Sequence, residues 1–134
     1  MGEKALTIEP EALTPDVVAY LAHAARGRTD TTGGTKTMDE VLHGSQAFKV
    51  VQEGEVVARF ALKRVAHATC TECYVTAAVG QLPGVDLVAA ILPHIEARVQ
   101  GCDVLSVITR RRGLMAKLER MGYERQAVTY RKRL

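Results

Sequence analysis

Residues able to do chemistry lie on both sides of an apolar run at positions 73–79. Glu72 and Tyr74 stand at its start, and a carboxylate and a hydroxyl are side chains that can exchange a proton with a bound ligand. A Gly-containing turn from Gln81 to Asp86 follows the run, and such a turn at the start of a helix presents backbone N–H groups to an anion. Each feature also has a structural explanation, since a Glu at a strand end is often only solvated and Asp is a good N-cap.

The cysteines and histidines form no complete catalytic or metal site in the sequence. Cys70 and Cys73 make a Cys-x-x-Cys pair, but a structural zinc ion needs four ligands and the second pair is missing. His67 and Cys102 could complete the set only if the fold happened to bring them together. The four histidines show no spacing to Cys or Asp that indicates nucleophilic catalysis. We therefore expect no metal and no disulfide, with the cysteines as small residues flanking a strand.

The elements that must position these residues can be predicted from the apolar pattern and the turn signals. Strands are predicted at residues 5–8, 47–51, 56–62, 73–79, 103–108 and 126–130. Helices are predicted after Thr14, Thr37 and Asp86 and in a segment ending at Gly122, and residues 28–36 form a mobile loop. The result is a single α/β domain over residues 1–134, with a mixed sheet and helices on both faces.

Two strands carry further predictions. In the strand at 56–62, Ala58, Phe60 and Leu62 share one face, and Arg59 lies on the other. The strand at 103–108 is apolar on both faces, which is typical of a central strand buried in a parallel arrangement.

Composition and charge narrow the classes of function. The chain has 134 residues, 47% hydrophobic and 25% charged, which favours a folded domain over disorder. Residues 110–134 carry nine Lys or Arg against two Glu, but with aromatics at only 4% a specific nucleic-acid surface is disfavoured. The apolar runs are shorter than the ~20 residues of a membrane span, so no membrane partner is expected. An odd number of cysteines and an N-terminus without a leader pattern favour the cytoplasm.

The order of the predicted elements resembles the GNAT superfamily of acyl-CoA-dependent N-acyltransferases. The resemblance covers most of the chain and is best over residues 47–124, from the hairpin to the last helix. That helix ends in Met-Gly-Tyr-Glu at positions 121–124, similar to the family's recurrent Leu-Gly-Phe-Glu ending. The resemblance implies a mixed, mostly antiparallel central sheet of six to seven strands with helices on both faces.

The resemblance also implies a cofactor site. In the family, the fourth strand splays away from the fifth and binds the pantetheine arm of CoA, and a Gln/Arg-x-x-Gly-x-Gly/Ala turn holds the pyrophosphate. Here the turn departs from that pattern, because Pro83 has no N–H to donate and a carboxylate at the last position would repel a diphosphate. By this resemblance, acetyl-CoA or another acyl-CoA would contact Ala77, Ala78, Val79, Gln81, Leu82, Gly84, Val85 and Asp86.

Catalytic residues follow from the resemblance less directly. Many members place a Tyr four residues before the Gly that ends the last helix, where it protonates the leaving thiolate, but here that position is Leu118. The family's Asn at the start of this segment falls near Arg111. Tyr123 is a nearby hydroxyl, although it also suits the family's aromatic core position. The candidate catalytic residues are therefore Glu72, Tyr74 and Tyr123.

Two classes of function stay open at this point. The first is an N-acyltransferase with a degenerate cofactor motif, whose acceptor is an amine of a small molecule or of a protein Lys or N-terminus. The second is an inactive GNAT-fold structural or interaction protein, similar in size to small bacteriophage-encoded proteins of this fold, including virion components. We also expect modest self-association, or docking on a virion partner, through the C-terminal half.

Overall fold

The secondary structure follows the predicted order up to the last helix. The computed structural model describes residues 5–23 and 32–134. Its elements are β1 (Thr7–Glu11), α1 (Pro15–Ala22), α2 (Met38–Leu42), β2 (Gln46–Gln52), β3 (Glu55–Ala66), β4 (Thr71–Gly80), α3 (Leu87–Arg98), β5 (Val104–Val107) and α4 (Arg112–Arg120). Residues 28–31 of the predicted mobile loop lie outside the described residues, and residues 32–36 form a turn and a bend.

Three helices begin where the sequence predicts because a side chain caps the first turn. Each cap oxygen accepts a hydrogen bond from a backbone N–H three residues later, and this satisfies a donor that the helix itself leaves without a partner. The N–O distance is 3.3 Å in each case, and the caps are Thr14 for α1, Thr37 for α2 and Asp86 for α3.

The five strands lie in one sheet in the order of the chain. β1 to β4 pair antiparallel, whereas β5 pairs parallel to β4 after the crossover through α3. The β2–β3 hairpin turns at Glu53 and Gly54, whose φ angles are 50° and 80°. Two consecutive left-handed residues are typical of a type I′ turn, which matches the twist of the strands it joins. The mixed, mostly antiparallel sheet confirms the predicted fold class.

Helices cover both faces of the sheet. On what we call the α1–α2 face, Val17, Leu21 and Leu42 are buried against Ala47 and Ala61 of the sheet. The opposite α3–α4 face is built around the stacked rings of Phe48 and Phe60, whose centroids lie 5.1 Å apart. The helical residues packed into this second core are Leu92, Ile95, Val99 and Leu118.

β3 distributes its side chains between the two faces as predicted. Ala58, Phe60 and Leu62 are all buried in the core of the α3–α4 face. Arg59 lies on the other face, where its Nε donates to Glu11 Oε1 at 2.8 Å and its guanidinium lies 4.4 Å from the centre of the Tyr20 ring.

Two predictions for the C-terminal part were wrong. In the described part of the chain the sheet has five strands rather than six to seven, because residues 126–130 form no strand. Consequently β5 is an edge strand of the described sheet and not a central one, and Val104 is 46% exposed. In the tail, Val128 is 60% and Tyr130 is 93% exposed. With so little apolar surface buried, nothing offsets the entropy that ordering a further strand would cost.

The cysteines are free thiols, and Cys73 is fully buried on the α3–α4 face. Within residues 5–23 and 32–134, no three His, Cys, Asp or Glu side chains are grouped so as to hold a metal ion. No helix of the same described residues is long and apolar enough to cross a membrane.

Candidate functional site

β4 and β5 separate halfway along β4. Their parallel pairing runs from Glu72 opposite Val104 to Val75 opposite Val107, and β4 continues beyond it to Gly80. The separation coincides with a bulge, because Ala61 and Leu62 of β3 oppose Ala77 and Val75 and leave Thr76 as an extra residue. A bulge bends its strand and re-aims the side chains beside it. We call the resulting gap the β4–β5 cleft.

The cleft exposes one edge of the second half of β4. Ala77 and Val79 pack into the core of the α1–α2 face, whereas Ala78 is exposed. A strand edge of this kind offers backbone N–H and C=O groups to an extended ligand, as in other strand-addition sites. These are the strand residues that the family resemblance assigned to cofactor binding.

The end of β4 packs closely against β3 and α3 at Gly80, just before the turn that precedes α3. A Cβ on Gly80 would lie 2.5 Å from Ala58 Cβ and 2.9 Å from Leu87 Cδ1, so only glycine fits there. Gly84 adopts a left-handed φ of 75°, and Leu82 packs against the core of the α3–α4 face.

The turn holds fewer free amide groups than its sequence suggests. Gln81 N–H donates to Val57 O at 3.0 Å, and Val85 N–H donates to Leu82 O at 3.1 Å. Pro83 has no N–H at all. Backbone donors for an anion at this turn therefore come from its end and from the first turn of α3.

Asp86 is not an isolated negative charge at the start of α3. Its Oδ1 accepts from Ala89 N–H and also lies 3.2 Å from Lys117 Nζ of α4. The capping hydrogen bond from Ala89, followed by that from Lys117, lowers the pKa of the Asp86 carboxyl. Lys117 was missed by sequence reasoning, because nothing in the pattern links two residues 31 positions apart.

Further positive charge follows β5 at the same edge of the sheet. Parallel strands end on the same side, so the segment after Val107 and the turn after Gly80 lie at the same edge. That segment contains Arg110, Arg111 and Arg112, which lead into the N-terminus of α4. This edge of the cleft thus combines two helix N-termini with several cations, an arrangement that favours anions.

A cluster of polar side chains around Glu72 lies beyond the closed end of the cleft, where β4 and β5 still pair. Its Oε1 accepts from Tyr74 Oη at 2.8 Å and contacts His67 Nε2 at 2.7 Å, and its Oε2 accepts from Ser106 Oγ. Cys73 and Val75 pack on the α3–α4 face, so Glu72 and Tyr74, which alternate with them, lie on the α1–α2 face. Two predicted candidates are therefore in direct contact.

These contacts shift the ionisation of both groups in opposite directions. The hydrogen bond from Ser106, followed by that from Tyr74, lowers the pKa of Glu72 despite partial burial. The same contact raises the pKa of Tyr74, because the phenol donates its proton to a negative carboxylate. At neutral pH the cluster therefore consists of an ionised Glu72 and a protonated Tyr74.

His67 belongs to this cluster, although the sequence showed no histidine constellation. It lies in the turn between β3 and β4, where its backbone N–H donates to Cys70 O at 2.8 Å. Its ring nitrogen Nε2 contacts Glu72 Oε1. The side chain is 41% exposed, so it forms the solvent end of the cluster. No pattern in the sequence linked His67 to Glu72, because the β3–β4 turn brings the two side chains together.

A second pair of hydroxyls lies at the bulge. Thr76 Oγ1 donates to Ala61 O at 3.3 Å and lies 2.9 Å from Ser45 Oγ. Either hydroxyl can be the donor between Thr76 and Ser45.

Tyr123, the third candidate, lies apart from this cluster. Its hydroxyl donates to Glu96 Oε2 of α3 at 2.8 Å, and its ring packs against the core of the α3–α4 face. Burial, followed by the contact with Glu96, raises the pKa of Tyr123. Leu118, at the position where the family often has its acid, is only 7% exposed. The structure thus brings Glu72 and Tyr74 together and places Tyr123 apart from them, beside Glu96.

Solved structures with the same architecture include several acetyltransferases. A ribosomal-protein-alanine N-acetyltransferase from Brucella melitensis biovar Abortus superposes with a TM-score of 0.68 at 14% identity, over 97% of this chain and 99% of that one. A Bacillus subtilis acetyltransferase in complex with CoA gives 0.68 at 18% identity, over 92% and 79%. A GNAT family acetyltransferase from Elizabethkingia anophelis with acetyl-CoA bound gives 0.62 at 11% identity, over 87% and 74%.

No family model and no curated protein matches the sequence. The likeness to solved structures therefore shows the fold, which is that of the GNAT acetyltransferases.

Proposed function

We propose that this chain, with its GNAT fold, transfers an acyl group from acyl-CoA to an amine. The observation that carries the proposal is the β4–β5 cleft, which opens at the Thr76 bulge between a polar cluster and an anion-favouring edge. Structures of the same fold contain CoA and acetyl-CoA, and this supports an acyl-CoA as the co-substrate.

The residues present fit acyl-CoA at two places. The exposed edge of residues 76–80 would hold the amide groups of the pantetheine arm by backbone hydrogen bonds. The start of α3 would face the diphosphate, and there Lys117 offsets the charge of Asp86 that the sequence suggested would repel it. The degenerate motif is thus partly compensated by a cation from another helix.

The reaction requires the protein mainly to position the thioester and the amine and to remove one proton. Acyl-CoA supplies a thioester, at which the amine forms a C–N bond while the C–S bond breaks. Backbone groups of β4 orient the reactants, and holding two reactants together is itself a large part of catalysis. The Glu72–Tyr74 pair takes the proton that the amine loses. Leu118 supplies no acid, but a thiol of pKa about 8.5 leaves readily as thiolate.

Calorimetric titration with CoA tests the cofactor site. We expect wild type to bind CoA more tightly than pantetheine, which has no phosphates. Lys117→Gln should weaken CoA binding several-fold and leave pantetheine binding unchanged, because it removes a cation near the diphosphate. Asp86→Asn keeps a capping side chain, removes the negative charge, and should strengthen CoA binding. Arg120→Gln, an exposed cation on the same helix, is the matched control.

Activity tests the transfer itself. Release of free thiol from acetyl-CoA should depend on an added amine. Ala78→Leu places a larger side chain at an exposed position of the cleft and should abolish release, whereas Ala97→Leu, exposed on α3, should not. If neither CoA nor pantetheine binds, the proposal is wrong, and the alternative of an inactive structural or interaction protein takes its place.

A further inference from the structure

We propose that Tyr74, and not Glu72, meets the acceptor amine, and that Glu72 is a positioning residue that restricts Tyr74 to accepting hydrogen bonds. The site would then select a ligand that donates hydrogen bonds, such as a primary amine or ammonium group. The catalytic part of this inference rests on the proposed function, whereas the hydrogen-bond arrangement does not.

Both carboxylate oxygens of Glu72 already contact groups of its own chain, through three of about four lone-pair sites. Tyr74 Oη and His67 Nε2 both contact Oε1, at 2.8 and 2.7 Å, and Ser106 Oγ donates to Oε2. The Glu72 side chain is only 17% exposed. A carboxylate held in this way has little capacity left for a substrate ammonium group, so its effect on a ligand must pass through a neighbour.

Tyr74 is the neighbour best placed to do so. A phenol has one hydrogen to donate and lone pairs to accept with, and the hydrogen of Tyr74 is used by Glu72. What remains on Tyr74 Oη is acceptor capacity alone. Tyr74 also directly precedes Val75, the last β4 residue paired with β5, so it lies next to the opening of the cleft.

Other hydroxyls around the opening are restricted in the same way. Ser106 donates its hydrogen to Glu72, and Thr76 donates to Ala61 O. Hydrogen-bond acceptors thus line this part of the α1–α2 face. Lys63 lies directly opposite Tyr74 in the β3–β4 pairing, and Arg59 lies further along β3 on the same face, where Glu11 pairs with it. A ligand that contacts these hydroxyls must therefore donate the hydrogen bonds to them.

The arrangement also provides a balanced path for the proton. As the C–N bond forms, the amine proton passes to Tyr74 Oη while the phenol's own proton moves to Glu72 Oε1. The C–S bond breaks and CoA leaves as the thiolate. Glu72 then returns its proton to water at the exposed end of the cluster, beside His67.

Titration of tyrosine by its ultraviolet absorbance tests the hydrogen bond without any need for activity. Comparison of wild type with Tyr74→Phe identifies the transition of Tyr74. The contact with Glu72 raises the pKa of Tyr74, so Glu72→Gln should move that transition to lower pH. Glu124→Gln, an exposed carboxylate, should leave it unchanged. An unaltered transition in Glu72→Gln would overturn the inference even if the protein is an active transferase.

A double-mutant cycle on kcat tests whether Glu72 acts through Tyr74. Loss of a proton-accepting group typically costs about 100-fold or more, so we expect that loss in Tyr74→Phe. Adding Glu72→Gln to Tyr74→Phe should cost nothing further. If the two losses multiply, Glu72 acts independently and the inference is wrong. If wild type transfers no acyl group to any amine, the proposed function and the catalytic role of Tyr74 fail together, while the absorbance titration still decides the hydrogen bond.

Discussion

At the scale of single residues, the site is defined by which hydroxyl hydrogens already donate hydrogen bonds within the chain. Glu72 is ionised because donors of its own chain surround it, and Tyr74 is kept protonated by the same contact. Such mutual satisfaction is the rule for partly buried polar groups, since an unpaired one is costly. The ionisation of each side chain in the cluster therefore depends on the other side chains of the cluster.

The lowered pKa of Glu72 predicts a pH-dependent contribution to stability. A carboxyl whose pKa is depressed in the folded state stabilises the fold above its unfolded value, near 4.5, and loses this as pH falls through the folded value. Glu72→Gln should therefore be less stable than wild type at neutral pH, and the two urea midpoints should converge in acid.

The matched control for this prediction is Glu124→Gln, at an exposed position. Its urea midpoint should stay close to that of wild type throughout. A constant gap between wild type and Glu72→Gln down to pH about 2 would contradict an ionised, hydrogen-bonded Glu72.

At the scale of elements, the site depends on how closely β4 passes its neighbours. Gly80 allows the end of β4 to lie against Ala58 of β3 and Leu87 of α3. The Thr76 bulge separates β4 from β5, and the cap at Asp86 fixes the start of α3. A change in any of these would move the turn relative to the cleft.

Gly80→Ala should destabilise the fold by about 1–3 kcal/mol, the usual cost of overpacking. The added methyl would lie 2.5 Å from Ala58 Cβ, and a strand pair has little room to yield. Thermal or urea unfolding measures the effect. Gly101→Ala has open space around its new methyl group and should leave stability nearly unchanged. Equal stabilities of the two variants would show that the strands are not so close.

Loss of the cap on α1 should also be measurable. Thr14→Ala removes the acceptor for Val17 N–H and should cost about 1 kcal/mol. Thr14→Ser retains the hydroxyl and should unfold close to wild type in the same urea titration. If both substitutions are equally harmful, the methyl group of Thr14 matters and the cap does not.

At the scale of the whole molecule, the C-terminal tail is the least integrated part of the described chain. Residues 124–134 are all exposed, although Arg131 donates to Thr32 O and Arg133 to Gly33 O at 3.1 Å. β5 meanwhile leaves one edge without a neighbouring strand in the described residues. Self-association through this half, predicted from the sequence, stays a prediction that light scattering at micromolar concentration would test.

Limited digestion with trypsin should cleave the C-terminal tail earlier than it cleaves the strands of the sheet. Arg125, Arg131 and Lys132 lie in exposed, non-strand backbone, whereas Arg59 and Lys63 lie in β3, which is paired on both sides. Proteases need a locally unfolded segment, so the paired strand should resist until the whole domain unfolds. Mass spectrometry of early fragments decides this, and an early cut within β3 would contradict the sheet described.

The sequence by itself determined the order of the elements up to α4 and their approximate positions. Local signals are sufficient for this, since the caps at Thr14, Thr37 and Asp86 and the turn at Glu53–Gly54 act within a few residues. The alternation in β3 likewise predicted which side chains enter each core. The sequence also singled out Glu72 and Tyr74 at the start of a strand, and β4 then places them on one face because residues two apart on a strand share a face.

Only the tertiary structure decided which distant residues meet. His67, Ser106 and Glu72 join through the β3–β4 turn and the β4–β5 pairing, and Lys117 reaches Asp86 from a different helix. The apolar pattern of β5 predicted a central strand, but β5 lies at the edge of the described sheet. Such a pattern shows how apolar a segment is, and it does not show whether another strand pairs with its second edge. Contacts between residues far apart in the chain depend on how the whole sheet and its helices pack, and no local signal carries that information.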